Sequence, residues 1–127
     1  MLKKAKKPKN ISYYEKKADK LLQEVGRKTY SKCEVCGEPM SCLHHYYPKS
    51  TSTYLRYDWK NLIPLCQNHH FAHHNGNPDI HNAINLNRGE DWLDDLQYQK
   101  SWPVKNGWIP TISWIKNIIE SLKLMLK

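Results

Sequence analysis

The chain has 127 residues, of which 39% are hydrophobic and 25% charged, and its formal net charge is +8 at pH 7. These proportions predict one soluble globular domain with appendages, whose modest core a structural metal would help to stabilise. No apolar run approaches the roughly 18 residues of a membrane-spanning helix, and no hydrophobic segment follows the first lysines as in a secretory signal. We therefore expect a cytoplasmic protein with no membrane partner, in a compartment where cysteines stay reduced.

The positive charge is concentrated at the N-terminus. Residues 1–32 carry 11 Lys or Arg and 3 Asp or Glu, whereas the rest of the chain carries 9 of each. Residues 1–10, which include Lys6 and Lys7, predict a flexible basic arm. Such an arm is either a contact for nucleic acid or a solvated tail, and the two interpretations are compatible.

A basic surface helix is predicted over residues 11–30. Ser12 and Glu15 have the spacing of a capping box, in which each side chain bonds a backbone N–H at the helix start. Gly26 is a candidate stop, since glycine is common just past the end of a helix.

Residues 31–88 are predicted to form a small metal-bearing core. Its elements follow in chain order: a knuckle at 31–42, a short strand at 43–47, a turn and a second short strand within 54–64, and a helix at 66–74. A further helix is predicted to start at Asn77-Pro78, with asparagine as the cap and proline in the first turn.

Residues 89–127 are predicted to form a C-terminal helical extension. Residues 90–99 predict a short helix, and the prolines and glycine within 103–110 predict a loop. The last helix, at 111–126, carries a strong apolar stripe, which is either core or a contact between protomers.

Two pairs of potential zinc ligands have the same spacing. Cys33 and Cys36 form the first pair, and Cys66 and His69 form the second. Because structural zinc takes four such ligands in a tetrahedron, these paired knuckles predict a structural zinc site. Cys42 is the alternative to His69 as the fourth ligand. A redox Cys-x-x-Cys is a weaker interpretation, because it needs a helix directly after the motif, where this chain has a proline.

Histidines in the same stretch indicate a catalytic metal site. His45 is a candidate general base, because imidazole titrates near neutral pH and can take a proton from water. Neighbours on a strand point to opposite faces, so His44 needs a twist or a bulge to act beside it. Asn61 is a candidate to bridge the loop backbone and hold the strand. His70 and His74 lie four residues apart, on one face of a helix, which suits two ligands of one ion.

The order of these residues resembles the HNH family of nucleases, also called the ββα-metal fold. Its pattern His-His-x15-Asn-x8-His-x3-His is matched here by His44, His45, Asn61, His70 and His74. The resemblance implies an α+β fold with a small zinc-bearing, treble-clef-like ββα-metal core between N- and C-terminal helices. It implies that His45 is the general base and that Asn61 orients it. The implied ligands of the catalytic ion are His44, His70 and, as a third, His74.

A narrower resemblance, over residues 31–97, is to the phage NinG family, which is linked to DNA recombination and branched-DNA cleavage. It is carried by Cys33-Glu34-Val35-Cys36-Gly37, His45-Tyr46, Leu55-Arg56-Tyr57, Asn61, Cys66 and Gly76-Asn77. The chain departs from that family at His69, where the family has a cysteine, and at His70, where an Asn-type residue is usual. The resemblance implies a bacteriophage protein, acting in a bacterial or phage-infected cell.

These residues predict a metal-dependent endonuclease that hydrolyses phosphodiester bonds in duplex or branched DNA. Zinc is the expected structural ion, and Mg²⁺, Mn²⁺ or Ni²⁺ the expected catalytic ion. The candidate DNA contacts are Lys49, Arg56 and Lys60 beside the catalytic elements, together with the two lysines of the arm. The alternative function is a non-catalytic zinc-dependent DNA-binding module, and a histidine-rich metal-storage protein is a third. The apolar last helix also suggests a homodimer.

Overall fold

This computed structural model describes residues 9–74 and 76–127, with the backbone alone at residues 73 and 74. Over these residues the chain forms five α-helices and a two-stranded sheet, which confirms the predicted α+β class. The helices are α1 (Ile11–Thr29), α2 (Gln67–His74), α3 (Pro78–Arg88), α4 (Glu90–Lys105) and α5 (Ile112–Met125). The strands are β1 (Cys42–His45) and β2 (Leu62–Leu65). None of these helices combines the length and the apolar sequence needed to cross a membrane.

Two of the sequence signals proposed for α1 were wrong. The cap is Asn10, whose side chain accepts a hydrogen bond from the backbone N–H of Tyr13 at 3.1 Å, so Ser12 lies inside the helix. Gly26 also lies inside α1 and does not end it. Its missing side chain serves packing, because a Cβ at this position would lie 2.5 Å from the side chain of Leu43.

The two strands pair antiparallel, with Leu43 opposite Pro64. At this pair the backbone groups face outward, so the missing N–H of Pro64 breaks no bond between the strands. On the outer edge of β1, the Gln23 side chain of α1 exchanges two hydrogen bonds of 2.9 Å with the backbone of Leu43. On the outer edge of β2, the Pro64 carbonyl accepts a bond of 2.8 Å from the N–H of Glu34. The first helix and the cysteine knuckle are thus attached to opposite edges of the sheet.

One hydrophobic cluster joins α1 to α5. Thr111 caps α5 by accepting a hydrogen bond from the N–H of Trp114 at 3.1 Å, in agreement with the predicted start. Ile115, Ile119 and Leu122 are buried in the cluster that also contains the apolar face of α1. The apolar stripe of α5 is therefore core, and the feature that suggested a homodimer is explained within one chain.

A second hydrophobic cluster joins the sheet to α3 and α4. Ile63 of β2, Ile84 of α3 and Leu96 of α4 are each fully buried in it. Helix α3 starts after the Asn77 cap, as predicted. Helix α4 is longer than the predicted 90–99 because Pro103 lies within it and does not break it.

Replacing Gly26 tests how closely α1 approaches the sheet. Glycine to alanine in an exposed helix interior usually stabilises a protein by about 0.5–1 kcal/mol. Here the new methyl would overlap Leu43, so we expect Gly26→Ala to lower the free energy of unfolding by about 1–3 kcal/mol. Urea denaturation would measure the difference, with Glu24→Ala as a control at an exposed position of the same helix. Stabilisation by Gly26→Ala would contradict the close contact.

Candidate metal centre and histidine cavity

The first half of the candidate metal centre is a tight knuckle between α1 and β1. The N–H of Gly37 bonds the carbonyl of Cys33 at 3.0 Å, and the N–H of Cys33 bonds the carbonyl of Glu38 at 2.7 Å. Gly37 has a φ of 75°, a left-handed conformation that glycine adopts without strain. The turn brings Cys33 and Cys36 to one side of the knuckle.

The second half lies where β2 leads into α2. Cys66 directly follows the strand, and His69 lies in the first turn of the helix. The helix begins here because the Cys66 carbonyl accepts a bond of 2.9 Å from the N–H of His70. The Glu34–Pro64 backbone bond ties the knuckle to β2, so both halves are fixed to the same strand.

Four potential ligand atoms converge, with every pair within 4.8 Å: those of Cys33, Cys36, Cys66 and His69. The Cys36 and Cys66 sulfurs are 3.8 Å apart, and the Nδ1 of His69 lies 3.3 Å from the Cys66 sulfur. In a tetrahedron with zinc–sulfur bonds of about 2.3 Å and zinc–nitrogen bonds of about 2.1 Å, ligand atoms are roughly 3.5–3.8 Å apart. This Cys₃His group could therefore hold a zinc ion.

The cysteines of the group differ in acidity. Burial raises the pKa of the Cys33 thiol, but hydrogen bonds with the backbone of Cys66, Cys36 and Val35 outweigh it and lower that pKa to about 6. At Cys36, a backbone bond at Glu38 lowers the pKa, but desolvation and the neighbouring sulfurs outweigh it and raise the pKa above 9.0. A crowded set of sulfurs that resists a second negative charge is the environment in which a cation stabilises thiolates.

Cys42 lies outside this group. It is half-buried on β1 and lines a separate cavity of about 690 Å³. Of the two alternatives for the fourth ligand, the group contains His69.

The separate cavity collects the predicted catalytic histidines, and we call it the histidine cavity. Its lining residues come from α1, from β1 and the loop after it, and from α2: Gln23, Arg27, Cys42, Leu43, His44, His45, Pro48, Lys49, Ser50 and His70. His44 and His45 both line it although they are neighbours on a strand. The rings of His44 and His70 meet edge to face, with centroids 4.8 Å apart.

One ring nitrogen of His45 is held by the loop before β2. Its Nε2 lies 2.8 Å from the carbonyl oxygen of Arg56. A carbonyl only accepts, so the neutral ring carries its proton on Nε2 and keeps a free lone pair on Nδ1. Burial lowers the pKa of His45 below 6.5, and the bond to Arg56 offsets this only in part, so the ring is neutral at pH 7.

The side chain of Arg56 is held by two carboxylates of α1. Its guanidinium donates to both carboxylate oxygens of Asp19, at 2.9 and 2.5 Å, and to Glu15 at 2.6 Å. All three groups are largely buried, which favours a stable geometry. Arg56 was predicted to contact DNA phosphate, which stays a prediction; three of its N–H donors bind the carboxylates of α1. Its backbone carbonyl accepts the hydrogen bond from His45.

Asn61 holds the other end of the same loop. It is 0% exposed, and its amide nitrogen donates to the carbonyls of Tyr47, at 3.1 Å, and Leu55, at 3.2 Å. Its amide oxygen accepts from the N–H of Tyr47 at 2.8 Å. The predicted bridge across the loop backbone is thus present. It also explains why β1 ends before Tyr47, two residues short of the predicted strand, because that backbone pairs with a side chain.

The remaining predicted site residues lie apart from the cavity or are already paired. Lys49 lines the cavity but lies 3.5 Å from Asp19, and Lys60 lies 2.8 Å from Asp95. Two predicted DNA contacts, Lys6 and Lys7, lie outside the described residues, as does the side chain of His74.

Sequence reasoning missed the polar face of α1. Glu15, Asp19, Gln23 and Arg27 recur every four residues and therefore lie on one side of the helix. The first two bind Arg56, the third binds β1, and the fourth lines the histidine cavity. Their regular spacing was the available signal, since such a stripe on a partly buried helix indicates polar partners elsewhere in the fold.

Comparison with protein-family models, with curated proteins and with solved structures finds no match. The function must therefore be inferred from the Cys₃His group and the histidine cavity themselves. The two sites share α2, which carries His69 of the group and His70 of the cavity.

Removing a cysteine from the Cys₃His group should remove the metal. We expect Cys36→Ser and Cys66→Ser to lose a tightly bound zinc ion and most of the folding free energy, because binding energy at such sites is folding energy. Metal content by mass spectrometry, together with thermal unfolding with and without a chelator, measures both effects.

Cys42→Ser is the matched control, since this cysteine lies outside the group. It should retain one zinc ion per chain and the stability of the wild type. Loss of zinc from Cys42→Ser, with zinc retained in Cys66→Ser, would overturn the assignment of the ligands.

Proposed function

We propose that the chain is a metal-dependent DNA endonuclease of the HNH type, in which zinc is structural and the histidine cavity is catalytic. The observation that carries the proposal is that His44, His45 and His70 line one cavity, beside a separate group able to hold zinc. The phage recombination role implied by the NinG-like residues is part of the same proposal.

Zinc would act here as a scaffold. Its ligands would join the knuckle to the start of α2, which carries His70 in the residue after His69. Binding the ion would therefore hold α2 against β1 and keep the His70 ring near His44.

His45 is the proposed general base. Its Nδ1 would take a proton from the water that attacks the phosphorus, while Nε2–H remains on the Arg56 carbonyl. His45 must be a neutral imidazole to accept this proton, and burial favours the neutral form. Asn61 would act as a positioning residue, because it holds the loop segment that includes Leu55. By the family resemblance, the products carry a 5′-phosphate and a 3′-hydroxyl.

His44 and His70 are the proposed ligands of a divalent catalytic ion, with His74 as a third outside the described side chains. Two imidazoles that bind one ion through nitrogens about 2.1 Å away have ring centroids roughly 5 Å apart when they meet near a right angle. The observed spacing of 4.8 Å suits such a pair. Mg²⁺, Mn²⁺ or Ni²⁺ would supply positive charge to the phosphate and to the departing oxygen.

Arg27 is the proposed phosphate contact within the cavity. It is exposed, lies in the last turn of α1 and lines the same space as the three histidines. A guanidinium binds two phosphate oxygens at once, which makes it better suited to this role than a lysine already near a carboxylate, such as Lys49.

The alternative is a zinc-dependent DNA-binding module without catalysis. It accounts for the Cys₃His group and the positive charge, but gives no role to a buried histidine whose Nε2–H is held by a fixed carbonyl. The two functions differ in one measurable respect, because only the enzyme breaks the DNA backbone.

Plasmid nicking tests the proposal. Zinc-loaded wild type should convert supercoiled DNA to open circles when Mg²⁺, Mn²⁺ or Ni²⁺ is added. His45→Ala should be slower by about 10²–10⁴-fold, the usual contribution of a general base. The control is His81→Gln, because His81 is a partly buried histidine that packs on Tyr46, 4.4 Å between centroids, outside the cavity. Equal nicking by wild type and His45→Ala would exclude His45 as the base.

The pH dependence of nicking tests the state of His45. Burial lowers the pKa of His45 below 6.5, so as pH rises the ring is already largely neutral at pH 6.5. The nicking rate should therefore have reached its plateau by pH 7. The fold should lose stability as pH falls below 6.5, since the unfolded chain binds this proton more tightly. Single-turnover rates, with zinc content checked at each pH, measure the profile. A midpoint well above 7 would contradict a buried, neutral base.

A further inference from the structure

A second cavity, of about 540 Å³, lies between the loop after β1 and the C-terminal half of α4. Its lining combines polar and charged groups with largely apolar side-chain surface, and consists of Tyr47, Gln97, Lys100, Ser101, Val104 and Lys105. None of these residues was part of the predicted site. We call this space the α4 cavity.

The two lysines of the α4 cavity keep their charge available. Among residues 9–74 and 76–127, no ion pair neutralises Lys100 or Lys105. The ammonium of Lys100 lies over the Tyr47 ring, 4.5 Å from its centroid, and this cation–π contact holds the charge at the cavity wall. By contrast, Lys49 and Lys60, the lysines predicted to bind DNA, both lie beside aspartates.

Two consecutive residues line the α4 cavity and the histidine cavity. Tyr47 lines the former and Pro48 lines the latter, and the two are joined by one peptide bond. Asn61 fixes this point, because it bonds both the N–H and the carbonyl of Tyr47. Tyr47 lies two residues after His45, so the cavity wall formed by its ring and the Lys100 ammonium has a defined position relative to His45.

We propose that the α4 cavity is a subsite for the DNA strand that is cut, where Lys100 and Lys105 bind backbone phosphates next to the one in the histidine cavity. Lysine ammonium groups bind phosphates without reading sequence, so this subsite would position the strand and extend the footprint. The proposal rests on the proposed function, since the subsite is defined relative to the phosphate that would be cleaved in the histidine cavity.

Binding of fluorescent single-stranded DNA to zinc-loaded His45→Ala protein tests the subsite without cleavage. With strands of about 12 nucleotides, Lys100→Ala/Lys105→Ala in that background should bind roughly tenfold more weakly at low salt. The slope of log affinity against log salt should fall by about 1.4, the value for two phosphate contacts on a single strand. A strand of about three nucleotides, long enough for the histidine cavity alone, should bind both proteins equally.

Lys116→Ala/Lys123→Ala on α5 is the matched control. It removes the same charge, and Lys116 also lies over a tyrosine ring, that of Tyr14, at 5.1 Å. This variant should keep the salt slope of the parent protein. An unchanged salt slope in the α4 variant would overturn the subsite, and so would equal losses of affinity in the two double variants. Displacement of the strand by polyglutamate as readily as by unlabelled DNA would also overturn it.

Nicking by the same lysine variants with His45 intact separates the two proposals. If wild type and Lys100→Ala/Lys105→Ala nick DNA and bind long strands equally, the subsite fails while the nuclease stands. If no protein nicks DNA but the α4 variant alone loses affinity and salt slope, the nuclease fails and the binding surface stands.

Discussion

The convergence of three cysteines and one histidine is the interaction on which the rest of the structure depends. The potential ligands come from two short segments, the knuckle and the segment where β2 leads into α2, which also meet in the second hydrophobic cluster. The sulfur–nitrogen distances suit a tetrahedral ion, and desolvation together with the neighbouring sulfurs raises the pKa of the Cys36 thiol. If the group holds an ion, metal binding and the placement of α2 beside β1 are one physical event.

A second constraint acts from the opposite side of the sheet. Helix α1 presents a polar face whose members hold the loop, the strand and the histidine cavity in turn. The pair between Arg56 and Asp19 is bidentate and largely buried, so its geometry is well defined. Because the Arg56 carbonyl is also the partner of His45, the ion pair that holds the loop on α1 also helps to position the hydrogen-bond acceptor of that imidazole.

The Cys₃His group could be predicted from sequence because its signal lies in residue type and spacing alone. The Asn77 cap of α3 could be predicted for the same local reason, and the range of α5 from its apolar stripe. The partners of α1 could not, since Asp19 and Arg56 are 37 residues apart and meet only when the helix docks on the loop. Gly26 was misread as a helix end because a glycine required by a neighbouring strand looks the same in sequence as one required by a turn.

The edges of the small sheet have a consequence for solubility. A strand with free N–H and carbonyl groups along its outer side can recruit a strand from another molecule, which leads to aggregation. Here Gln23 covers the backbone of Leu43 on one side, while on the other Pro64 offers no donor and its carbonyl is already bonded to Glu34. The proline that interrupts an otherwise aliphatic strand thus protects the molecule against self-association through β-pairing.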